Sequence, residues 1–215
     1  MTVNAPFDFV NALARRLDDE SLQAIASADY GYRADEVRRL LERIKAGHAR
    51  EVLTEPDFNL REVLELTRWS EADDEASHLR RLFACSCLLA ANGFGWPLTA
   101  TMAIAVESAL ALSMHDDFQR FVQTLVPDDP EAPEAQLPLL AGVVLAAARR
   151  DQIPVKSSAA RLLESADEWA VLLMSENDGA RWLVLMEGAV SWPEVPDELV
   201  ALAERLRAAR EQRHW

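Results

Sequence analysis

Few residues in this chain are of a type, and in a setting, that could do chemistry. Glu107 is the most unusual of them, with Ala103, Ile104, Val106, Leu110 and Leu112 around it. A carboxylate among such neighbours is costly to bury unless it is paired or protonated. Three roles follow: a place on the one exposed strip of its helix, a buried pair with a cation, or a ligand-binding or catalytic group in a helical cavity. Arg80 and Arg81 would lie at the wrong end of an antiparallel helix pair to reach it, so a partner is expected from another helix.

The other reactive types lack the spacing that chemistry needs. His78 and Cys85 share a helix face but are separated by about 10 Å of rise, too far for one ion without a third element. His115-Asp116-Asp117 offers ligands at a helix boundary, where capping of the next helix by Asp116 or Asp117 is the simpler role. There is no His-x-x-x-His to build a metal site inside a bundle. Cys85 and Cys87 point about 200° apart on a helix. They cannot easily bridge, and with Phe83, Leu88 and Leu89 beside them they read as inert core thiols. No G-x-S-x-G elbow occurs. Asn92-Gly93-Phe94-Gly95 lacks the preceding strand and the lysine of a phosphate loop, and Gly93 reads as a helix C-cap. No catalytic residue, cofactor or metal is therefore expected.

Binding chemistry has more support. Two acidic stretches stand out. Glu71, Asp73, Asp74 and Glu75 fall in one loop, and Asp128, Asp129 and Glu131 fall among three prolines in another. Trp69 and Trp96 lie at helix ends or in loops, where they either close over a helix terminus or serve as interface anchors, a role in which tryptophan is enriched. The only concentrated basic patch, Arg33, Arg38, Arg39, Arg43 and Lys45, is interleaved with Glu36, Glu42 and Glu51. It reads as a solvated helix face with ion pairs at i,i+4.

The elements that must carry these residues are helical. Half of the 215 residues are apolar and only 7 are glycine, too few for the many turns of an all-β protein. Residues 35–46 place Val37, Leu40, Leu41 and Ile44 at i, i+3, i+4, i+7, an amphipathic stripe ended by Gly47. The most apolar stretch, 78–114, reads as two helices back to back around the turn at 92–97, with Ser77 capping the first and Thr99 the second. A single longer helix is expected from Ser157 or Ser158 to about Ser175, and Asp197 is expected to cap the last helix. The fold class predicted is all-α: about nine or ten helices packed as antiparallel helix hairpins, a bundle or a loose helical-repeat array. One domain over 1–215 fits the length, with 127–135 as the point of any subdivision.

The net charge of −14 is spread along the chain: residues 1–126 carry 13 Lys/Arg against 20 Asp/Glu, and the remainder 9 against 16. Such a chain is repelled by nucleic acid and by anionic membrane surfaces, and it favours a basic protein partner. The N-terminal residues lack a basic segment followed by an apolar one. Together with two unbridged cysteines this gives the expectation of a cytoplasmic protein. The function predicted is an acidic protein-binding module, in its sharpest form an immunity or antitoxin protein neutralising a basic toxin enzyme. The alternatives are a scaffold that forms a homodimer through its C-terminal helix, and a ligand-binding or enzymatic helical domain centred on Glu107.

Overall fold

The apolar stripes do fold as helices, and what they pack against divides the chain in two. In a computed structural model, which describes residues 5–27, 34–55, 74–91, 98–125, 132–174 and 179–212, twelve α-helices and one 3-10 turn are present and no strand occurs among the described residues. Two compact units emerge, residues 1–96 and 97–215. Residues 127–135 fall inside the second. The two helices of the 78–114 stretch belong to different units, and each is a buried centre of its own.

The first unit contains α1 (Ala5–Arg16), α2 (Asp19–Ser27), α3 (Ala34–Lys45), α4 (Ala49–Leu53) and α5 (Glu75–Ala91). α5 packs on α1, α2 and α4, while α3 packs on α1, α2 and α4. The stripe of α3 is fully used: Val37, Leu40, Leu41 and Ile44 are all buried. α5 is buried on nearly every side, including Phe83, Cys85 and Cys87. Neither thiol is in a disulfide, and burial pushes that of Cys87 well up.

One polar residue braces the turn that ends α3. Gly47 ends α3 with φ +107°, a left-handed conformation that costs glycine little. Its N–H donates to Ile44 O at 2.9 Å, and that of His48 to Arg43 O at 3.0 Å, the paired bonds of a Schellman ending. Asn11, buried in α1, then clamps the turn from outside. Its Nδ2 donates to Gly47 O at 3.2 Å, and its Oδ1 accepts from Ala49 N–H at 2.9 Å. Lys45 Nζ reaches back to Leu17 O at 2.9 Å, satisfying a carbonyl just past the end of α1.

The second unit contains α6 (Leu98–Ala111), α7 (His115–Val122), the 3-10 turn (Pro133–Gln136), α8 (Leu137–Ala148), α9 (Gln152–Leu163), α10 (Ala166–Met174), α11 (Gly179–Ala189) and α12 (Asp197–Glu211). α8 is its axis, packed on α6, α7, α9 and α11, with Leu140, Val143, Val144 and Leu145 buried. α12 covers α9, α10 and α11 with Leu199, Leu202 and Leu206.

The helix count among the described residues exceeds nine or ten in part because one expected helix is divided. The stretch 157–175 is not one helix. It breaks after Leu163, and the indole of Trp169 folds back so that Nε1 donates to Leu162 O at 3.2 Å, taking up a carbonyl at the helix end. Several expected caps also differ. Asp74, not Ser77, caps α5: its Oδ1 accepts the Ser77 N–H at 2.6 Å. Thr99 lies inside the first turn of α6, and its carbonyl accepts Trp182 Nε1 at 3.1 Å, which joins α11 to α6. Asp197 is the first residue of α12, after Pro196, and makes no capping bond there; its charge still suits a helix start. Asp116 and Asp117 do not cap α7; they pair with Arg149 and Arg120 instead.

Candidate functional site

The acidic reading can be followed where the described residues allow. Of the nine expected partner-binding residues, Asp74 and Glu75 are described. Glu71, Asp73, Trp69, Trp96, Asp128, Asp129 and Glu131 lie outside the described residues. Asp74 and Glu75 are both exposed at the start of α5, and there they have company that the sequence pattern did not single out.

Local chemistry builds this edge twice over. α2 and α5 each begin with Asp-x-x-Ser: Asp18 to Ser21, and Asp74 to Ser77. In each case the aspartate caps the helix by accepting the N–H of the serine, at 2.7 Å for Ser21 and 2.6 Å for Ser77. Arg80, one turn into α5, connects the two starts. Its Nη2 donates to Ser77 Oγ at 2.9 Å and its Nη1 to Ser21 Oγ at 3.4 Å. Both carboxyls are held below the usual aspartate range. The first cause is the serine N–H, the next the serine hydroxyl, and the Arg80 charge adds to both.

The result is one edge on the first unit with five exposed carboxylates, Asp18, Asp19, Glu20, Asp74 and Glu75. Arg16 Nη2 stands 3.9 Å from Glu75 Oε1, a loose pair with an 83% exposed glutamate that leaves its charge to solvent. Glu75, Asp19 and Glu20 also lie in first helical turns, where the helix dipole stabilises negative charge. Asp18, Asp19 and Glu20 were not identified from sequence. The repeated Asp-x-x-Ser spacing was the available signal for their shared geometry.

Glu107 is half-exposed. Its side chain is 42% exposed, and Oε2 pairs with Arg181 Nη1, from the first turn of α11, at 3.1 Å. Its cation does come from another helix. Of the three roles weighed for it, the pair with a cation is present but half-exposed rather than buried. The C-terminal helix uses its basic residues within its own unit: Arg205 pairs with Asp167, Arg207 with Glu187 at 3.8 Å, and Arg210 Nη1 donates to Met174 O at 3.0 Å.

An open groove of about 370 Å³ lies on the second unit, lined by Asp116, Gln119, Arg120, Gln123 and Arg149. Asp116, Gln119, Arg120 and Gln123 follow the i, i+3, i+4, i+7 rule along the outer side of α7, opposite its buried Phe118, Phe121 and Val122. Arg149 donates to Asp116 and Gln119 across the groove. Among the described residues no group of three His, Cys, Asp or Glu is placed to hold a metal ion, and no helix is long and apolar enough to cross a membrane.

Compared with protein-family models, with curated proteins and with solved structures, the chain matches none.

Proposed function

We propose that the protein is an acidic protein-binding module whose partner is basic, and that it acts in the manner of an immunity or antitoxin protein by covering a basic toxin enzyme. The observation that supports this reading is the edge around Arg80, where two helix starts far apart in sequence present Asp18, Asp19, Glu20, Asp74 and Glu75 together. Carboxylates stabilised as anions by capping bonds keep their charge down to low pH. A fixed negative patch on a chain of net charge −14 steers a cationic partner and speeds its association. A homodimer through α12 would have to form around ion pairs that this helix already makes within its unit.

The test uses Asp19, Glu20 and Glu75, which make no capping bond. The wild-type chain and the triple variant Asp19→Lys, Glu20→Lys, Glu75→Lys are immobilised and challenged with the products of neighbouring genes. Binding is measured at low salt and at roughly 1 M salt, where the screening length falls to about 3 Å. The expected result is a basic protein that binds the wild type at low salt, weakens at high salt and fails to bind the variant. A partner held equally well by both chains and at both salts overturns the reading.

A further inference from the structure

We draw no further inference here: the strongest candidate, the open polar groove between α7 and the end of α8, carries nothing because its two arginines, Arg149 and Arg120, are already matched by Asp116 and Asp117 and nothing in the structure points to a ligand.

Discussion

Ser21 and Ser77, which belong to two helices distant in sequence, turn their hydroxyls toward a single guanidinium, that of Arg80. Each serine also gives its backbone N–H to the aspartate three residues before it. The two helix starts are thus built alike and share one cation, which makes the stability of this corner dependent on pH.

Asp18 and Asp74 have carboxyls depressed in the folded chain, so they bind protons less readily there than when unfolded. The stabilisation they provide is complete above the ordinary aspartate value, about 3.9, and is lost as pH falls through the lower folded values. Thermal melts from about pH 6 down to about pH 2 should show the double variant Asp18→Asn, Asp74→Asn melting below wild type at the upper end and converging on it at the lower end. A constant gap across that range would contradict the assignment of these groups.

Asn11 should be the most sensitive polar residue of the first unit. Asn11→Ala leaves the Ala49 N–H and the Gly47 carbonyl without their side-chain partner. The expected loss is about 1–3 kcal/mol in urea unfolding. Asn11→Asp retains the acceptor for Ala49 and loses only the donor to Gly47, so it should fall between Asn11→Ala and wild type if its charge is tolerated. A loss below about 0.5 kcal/mol for the alanine variant would show that the clamp adds nothing.

Ser113 ends α6 in the left-handed conformation, φ 54°, with its N–H donating to Leu110 O at 3.1 Å and that of Met114 to Ala109 O at 2.8 Å. It occupies the position that glycine favours. Ser113→Gly should raise stability by about 0.5–1 kcal/mol, because relief of the left-handed strain outweighs glycine's greater unfolded-state entropy. Equilibrium denaturation checks the sign, and a destabilised variant would mean the serine side chain makes an offsetting contact.

Glu107 and Arg181 should behave as a surface pair. Their side chains are 42% and 38% exposed, so solvent screens them. A double-mutant cycle with Glu107→Gln and Arg181→Met is expected to give a coupling of about 0.2–1 kcal/mol that shrinks with added salt. A salt-independent coupling of about 3 kcal/mol or more would instead mark a buried charge pair.

What could be read in the sequence, and what could not, follows the range of the interactions. The α3 helix was legible because Val37, Leu40, Leu41 and Ile44 repeat at the helical period and bury together. The break after Leu163 was not, because it accompanies an indole from the next helix turning back onto a carbonyl, and no local pattern encodes that contact. The apolar character of 78–114 was plain, yet hydrophobicity does not say which core a helix joins, and α5 and α6 joined different ones. Asp74 and Glu75 were expected at an acidic surface. Their neighbours Asp18, Asp19 and Glu20 were hidden by distance along the chain, since only the packing of α2 near α5 brings Arg80 within reach of both. For Glu107, the pattern of flanking residues suggested either a burial problem or an exposed strip, and the pair with Arg181 depends on α11 packing against α6.

The reach of Arg80 also sets an order of assembly during synthesis. α1, α2 and α3, with the Asn11 clamp on the Gly47 turn, are all present in the growing chain before α5 is made. The start of α2 gains its cation only when α5 has been translated and has docked, a long-range closure that follows the local ones. A ribosome halted before residue 74 therefore carries α1 to α4 but only Asp18, Asp19 and Glu20 of the acidic edge.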